Sequence, residues 1–145
     1  MGIIQYKGIP EFPDMEKVLN IASRIESLRE VEKMIDEVSV ECSMSSEVYG
    51  NVLIATMEAA NNAILHGNKL DAQKDVNIKF KWSSDKLVLI VRDQGKGFNF
   101  KEVPDPTAPG NVEKVNGRGV FLMEKLSDEI SFKENGRKVS LTFKL

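Results

Sequence analysis

The period of the hydrophobic pattern changes between residues 65 and 76, and that change constrains the fold more than any other feature of the chain. In "SLREVEKMIDEV" the apolar residues Leu28, Val31, Met34, Ile35 and Val38 recur at helical spacing. A second, longer helix is expected from Ser45 or Ser46 to about Leu65. Its buried stripe is Val48, Val52, Ala55, Ala59 and Ala63, with Leu53 and Ile64 beside it. The rhythm then becomes strict alternation. Val76, Ile78, Phe80 and Trp82 alternate with polar residues, "SSDK" turns the chain, and Leu87, Leu89 and Val91 alternate again, which predicts a hairpin. A strand with one apolar face must bury it against another element, and the two striped helices supply the cover.

The flanks extend the same plan. "KVLNIASRI" has strand character and opens the sheet. Ser27 and Glu30 stand three apart, the spacing of a capping box at the start of the first helix. "GVFLMEKLSDEI" reads as a short helix. "EISFKENGRKVSLTFKL" reads as a closing hairpin turned at Asn135-Gly136, with Val139, Leu141, Phe143 and Leu145 on its apolar face. Between residues 96 and 119, "KGFNFKEVPDPTAPGNVEKVNGRG" carries three prolines and four glycines without a period. A loop of that length in a small domain is usually functional or disordered. The expected fold is α+β: two or three helices on one face of a mixed, mostly antiparallel sheet, in a two-layer sandwich, formed by residues 1–145 as a single domain.

Composition narrows the function classes. At 145 residues the chain is one domain in size, and such a domain buries about 68–70% of the surface its unfolded chain exposes, so a core is possible without staples. A net charge of −2 lacks the basic excess of a general nucleic-acid binder. No apolar run approaches the roughly 20 residues that span a bilayer. The first residues, "MGIIQYKGIPEFPDM", show neither a signal-peptide pattern nor the Ser or Thr of a myristoylation motif. The lone Cys42 has no partner for an internal disulfide. A cytoplasmic protein without nucleic-acid or membrane contact is the expectation.

Three segments carry polar groups that the core does not need. In "MEAANNAILHGN", Glu58 and Asn62 lie four apart and leave the same face of a helix, with Asn61, His66 and Asn68 close by. An Asn side-chain oxygen is a hard ligand suited to Mg²⁺, which takes few protein ligands, and a carboxylate one turn earlier can accept a proton from a hydroxyl. Taken alone, the same residues are a solvated glutamate, a helix-end asparagine and a histidine favoured by the helix dipole. "VRDQGKGF" places Asp93 at a strand end before Gly95 and Gly97. An aspartate there can accept from an exocyclic amine, and glycines let the backbone turn and a ligand approach. Alone, it reads as a tight turn with a polar cap. "NGRGVFLM" opens a helix with Gly117, Arg118 and Gly119. Helix N-terminal amides bind phosphate oxygens and Arg118 adds a cation. A plain loop end with a surface arginine fits that stretch equally well.

In order and spacing the three segments resemble the Bergerat-fold, or GHKL, ATP-binding superfamily of gyrase, chaperone ATPases, mismatch-repair ATPases and histidine kinases. "EAANNAILHGN" resembles its N box, "DQGKGF" its first glycine box and "GRGVFLM" its second, and the long loop stands where that superfamily has its ATP lid, about residues 101–117. The resemblance covers about Ser46 to Leu145. It implies that Asn62 binds Mg²⁺ and Asp93 the adenine amino group. It further implies that Gly95 and Gly97 shape the adenine pocket, that Gly117, Arg118 and Gly119 lie at the phosphates, and that Glu58 is the general base. The chain has no room for the lysine-bearing second domain of gyrase-type members, and His66 lies inside the N box, where it is no phosphoacceptor of a complete histidine kinase. What remains is similar to the bacterial anti-sigma factor serine/threonine kinases. That subgroup implies ATP and Mg²⁺, an anti-anti-sigma (STAS-type) protein as substrate, a sigma factor as competing partner, and a homodimer. A stand-alone ATP-binding switch module and a kinase of a non-sigma signalling partner are the other two readings. The resemblance departs in two places. The lid has Thr107 and Lys114 but no Thr-Lys pair. The last strand offers Ser140 and Thr142 where a threonine backs the adenine pocket in other members.

Overall fold

The computed structural model describes residues 15–96 and 115–145. Five strands form one sheet in the order β1-β2-β3-β5-β4: β1 Met15–Ala22, β2 Asp75–Trp82, β3 Lys86–Arg92, β4 Glu129–Lys133 and β5 Lys138–Lys144. Among the described residues every pairing is antiparallel, where a mixed sheet was expected. Among the described residues the α-helices are α1 Leu28–Glu41, α2 Ser46–Asn62 and α3 Val115–Leu126. The α+β sandwich expected from the periodicity is the fold observed.

The alternation of the strands decides which face is covered. Val76, Ile78, Phe80 and Trp82 of β2, Leu87, Leu89 and Val91 of β3, and Val139, Leu141 and Phe143 of β5 are buried. They meet Val31, Ile35 and Val38 of α1 and Val52, Ala55, Ala59 and Ala60 of α2 in one core. The intervening residues, among them Lys79, Lys81, Ser140 and Thr142, fall on the opposite face by the two-residue period of a strand. At the β1 edge, Lys17 reaches across to α1 and pairs with Glu41 at 2.9 Å.

The helix boundaries follow local chemistry with one exception. Ser45 caps α2, its hydroxyl accepting from the Val48 amide at 3.2 Å. The capping box expected at Ser27 and Glu30 does not form. A short 3₁₀ turn at Ile25–Ser27 precedes α1 and holds Ser27 in a helical conformation (φ −65°, ψ −17°), with no side-chain cap bond. A capping side chain needs extended backbone at its own residue, and the 3₁₀ turn removes it. The β4–β5 turn is as expected: Glu134, Asn135 and Gly136 all have positive φ (54°, 58° and 84°), and only at Gly136 is that free of steric cost.

α2 does not stop at Asn62. It continues as a turn of π-helix, Ala63–Gly67, in which the Asn68 amide reaches back to the Ala63 carbonyl at 2.8 Å. The Leu70 amide then bonds the Ile64 carbonyl at 2.9 Å, and Lys69 and Leu70 both adopt positive φ. π turns of this kind are frequent at functional sites. Here the turn swings the end of α2 against the loop that leaves β3.

Candidate functional site

The site lies at the end of the sheet where α2 finishes, β3 and β4 run out, and β5 and α3 begin. A pocket there is lined by Asn62, Ala63, His66 and Gly67 from the end of α2, Val91 and Asp93 from β3, Met123 from α3, and Phe132, Arg137 and Val139 from the last hairpin. All three segments singled out in the sequence therefore contribute side chains to one cavity, the third through Met123. α3 also brings Gly119 against Asn62. A Cβ added at Gly119 would stand 2.6 Å from Asn62 Nδ2, so only glycine allows this contact.

The Asn62 side chain is the chemically odd member. Its Oδ1 is buried and has no hydrogen-bond partner among the described residues. A buried acceptor left unpaired costs about 1–3 kcal/mol, which a cation at that oxygen would recover. Among the described residues no group of three His, Cys, Asp or Glu side chains could hold a metal. The unpaired amide oxygen of Asn62 suits an ion that takes few protein oxygens and fills its remaining positions with water and phosphate, as Mg²⁺ does. Glu58 is half-buried one turn before Asn62 on α2 and stands outside the pocket lining. Arg118 is exposed, while Gly117 and Gly119 are buried in the first turns of α3. The helix starts at Val115, so residues 115–117 of the expected lid are helical. Residues 101–114, with Thr107 and Lys114, and Gly97 before them lie outside the described residues.

Asp93 is held from both sides. Its backbone amide donates to the Arg137 carbonyl at 2.9 Å, and its Oδ1 accepts from the Gly95 amide at 2.8 Å. Gly67 packs flat against it: a Cβ there would lie 2.3 Å from Asp93 Oδ2. Gly95 in turn packs on Gly67, where a Cβ would come within 1.9 Å of the Gly67 carbonyl oxygen. The glycine of this box is needed for close approach and not for a positive φ, and its near neighbour is the end of α2.

The family described as histidine kinase-like ATPase domain matches residues 21–143, and those residues span all the elements of this site. The chain belongs to this family. A protein named serine-protein kinase RsbW from Bacillus licheniformis is 34% identical over 96 residues, covering 61% of this chain and 60% of that protein. Its counterpart of the same name in Bacillus subtilis (strain 168) is also 34% identical over 96 residues, with the same coverage. That of Staphylococcus aureus (strain JH9) is 32% identical over 97 residues, 61% of each chain. The chain spans about three fifths of the length of the curated relatives it matches. No helix among the described residues is long and apolar enough to cross a membrane.

Within this ATPase-domain site the structure redirects one expectation and adds a residue. Ser140 and Thr142, offered by the last strand as a second contact to a bound base, alternate away from the pocket onto the open face of the sheet. Val139 and Arg137 line the pocket in their place. Asn68, noted in the sequence only as a neighbour, is 1% exposed and ties three segments together. Its Nδ2 donates to Ser23 Oγ at 2.8 Å and to the Asp75 carbonyl at 3.0 Å, and its Oδ1 accepts from the Gln94 amide at 2.7 Å. Gln94 follows Asp93, so Asn68 fixes the loop that aims the carboxylate. Asn68→Ala is expected to lower stability by about 1–3 kcal/mol, because it removes three hydrogen bonds made by a buried side chain and leaves the part-buried Gln94 amide without its acceptor. Urea denaturation measures this, and a loss below 1 kcal/mol (the surface-substitution range) would contradict the hub.

The titrations of the site oppose each other. Burial raises the Asp93 carboxyl above its ordinary value, against the lowering effects of the Gly95 amide and the Arg137 and Lys74 charges. Burial lowers His66 below its ordinary value. For Asp93 the folded chain holds the proton more tightly than the unfolded one. Its ionised form thus costs stability at neutral pH, and the cost is relieved as pH falls through the raised native value. For His66 the sign is reversed: the contribution is complete above the unfolded value and is lost as pH falls through the lowered native one. Protonation of Asp93 removes its capacity to accept from an amine at both oxygens. Affinity for an amine-bearing base is expected to fall on acidification earlier than an ordinary aspartate would cause. Asp93→Asn is expected to remove that pH dependence, as read by calorimetric titration across the acid range.

Proposed function

We propose that this chain binds ATP in the pocket between the end of α2, β3 and α3, and transfers the γ-phosphoryl group to a serine or threonine hydroxyl of a protein. The observation that carries this reading is the buried, unpaired Asn62 Oδ1 at the edge of the pocket that holds Asp93. The relatives named serine-protein kinase support the choice of acceptor. Asp93 would accept from the adenine 6-amino group, with Gly95, and Gly97 beyond it, shaping the pocket wall. Asn62 would hold Mg²⁺, which when bound neutralises charge on the phosphates. The start of α3, around Gly117, Arg118 and Gly119, would face the phosphate oxygens with its N-terminal amides.

Glu58 would take the proton of the attacking hydroxyl. The new bond forms between that oxygen and the γ-phosphorus as the bond to the ADP oxygen breaks. Catalysis of this kind is mostly positioning and electrostatics. The substrate would be an anti-anti-sigma (STAS-type) protein and the competing partner a sigma factor, in a homodimeric, cytoplasmic protein. Partner exchange would then be a difference of two affinities set by nucleotide and phosphate.

Calorimetry of ATP with and without Mg²⁺, on the wild-type chain and Asn62→Ala, tests the core of the proposal. Mg²⁺-dependent binding that Asn62→Ala weakens about tenfold or more supports it, a loss of the size expected for one charge-assisted contact. Equal binding by the two proteins would reassign the ion, and no binding by the wild type would overturn the reading.

A further inference from the structure

Arg137 lines the pocket with Asp93, and neither the sequence motifs nor the family assignment singles it out. β3 and β5 end their pairing at Arg92 and Lys138. One more backbone bond follows, from the Asp93 amide to the Arg137 carbonyl at 2.9 Å. In both strands the odd-numbered residues face the helices: Leu87, Leu89 and Val91 in β3, and Val139, Leu141 and Phe143 in β5. The same alternation carries Asp93 and Arg137 to that side, and both line the pocket. Between them its floor is apolar, with Val91, Val139 and Met123.

Arg137 is held in place. Its Nε donates to the Glu134 carbonyl at 2.9 Å within the β4–β5 turn. Among the described residues it forms no ion pair, in contrast to Arg92, which pairs with Glu134 at 2.8 Å. Its charge nevertheless reaches the Asp93 carboxylate. An acceptor residue and a donor residue thus line one pocket from neighbouring strand ends, tied backbone to backbone, with apolar residues between the strands and α3.

We infer that Arg137 is a base-reading residue: its guanidinium donates to the ring-nitrogen acceptor adjacent to the exocyclic amine that Asp93 accepts from. The inference rests on the nucleotide reading above. Adenine presents that pattern, an amine donor at C6 next to the N1 acceptor. Guanine presents an O6 acceptor next to an N1–H donor, which sets acceptor against carboxylate and donor against guanidinium. The pair would therefore select adenine over guanine.

The test is calorimetric affinity of the full chain for ATP and for 1-deaza-ATP, whose N1 is replaced by C–H. The wild type is expected to bind the analogue about tenfold more weakly, the worth of one charge-assisted hydrogen bond. Arg137→Met keeps the apolar stem and removes the donors. It is expected to bind ATP about tenfold more weakly than wild type and to bind ATP and the analogue alike. Unfolding midpoints without nucleotide, matched between the two proteins, separate this from a loss of fold. An Arg137→Met protein that keeps the wild-type preference for ATP overturns the inference. So does a wild type that binds both nucleotides equally, with the ATP site itself left standing. A wild type that binds neither nucleotide removes the nucleotide reading and this inference together.

Discussion

Gly95→Ala is expected to destabilise the chain by about 2–3 kcal/mol and to abolish binding in the pocket, the larger of the effects that a single methyl group can have here. The added Cβ would sit 1.9 Å from the Gly67 carbonyl oxygen and 2.6 Å from its carbon. These are backbone atoms and cannot rotate aside. Two relaxations are open. The π turn at the end of α2 can shift, which pulls on Asn68 and its bonds to Ser23, Asp75 and Gln94. Or the loop after β3 can lift, which breaks the bond from the Gly95 amide to Asp93. Either one moves the Asp93 carboxylate. Gly50→Ala is the internal control. Gly50 lies within α2 with open space at its Cβ, and alanine there is expected to stabilise by about 0.5–1 kcal/mol. Urea denaturation of the two variants reads the difference directly. If they behave alike, the packing of Gly95 on Gly67 does not hold the site together.

Glu58→Gln carries the largest expected effect on chemistry. The substitution keeps the shape and one acceptor but leaves no group able to take a proton. General-base contributions run at about 10²–10⁴-fold in rate, and a loss of that size is expected in single-turnover phosphoryl transfer. ATP affinity should stay close to wild type, because Glu58 lies outside the pocket lining while Asn62 and Asp93 lie within it. Asn62→Ala should show the opposite balance, with weakened Mg²⁺-dependent binding. The split distinguishes a base from a binding residue. Transfer by Glu58→Gln at the wild-type rate would remove Glu58 from the mechanism. Unimpaired ATP binding with no transfer by the wild type would make the chain a nucleotide-gated binding module.

Much of this arrangement could be read before any coordinates, because much of it is local. The four-residue spacing of Glu58 and Asn62 places both on one helix face whatever the rest of the chain does. Alternation marks β2, β3 and β5, and the Asn135-Gly136 step marks the last turn, because a side chain's face and a turn's φ depend on residues within a few positions. Local reading also failed on local grounds at Ser27. The 3₁₀ turn before it changes the backbone of a single residue, and the capping-box spacing cannot register that.

What only the tertiary structure decided is which distant residues meet. Gly95 looked like a glycine for backbone freedom, and it is a glycine because the Gly67 backbone lies against it. In the sequence Asn68 is only a neighbour of the Glu58–Asn62 face. Its worth comes from three partners, just after β1, at the start of β2 and in the loop after β3, none of them its neighbour in the helix. Ser140 and Thr142 had the right chemistry for the pocket and the wrong parity. Arg137 has the right parity, because its carbonyl takes the Asp93 amide across the β3–β5 ladder. Periodicity determines the face a residue occupies along its own strand. Strand order and register determine what stands opposite, and those are set by burial of the whole apolar face at once, which no short stretch of sequence contains.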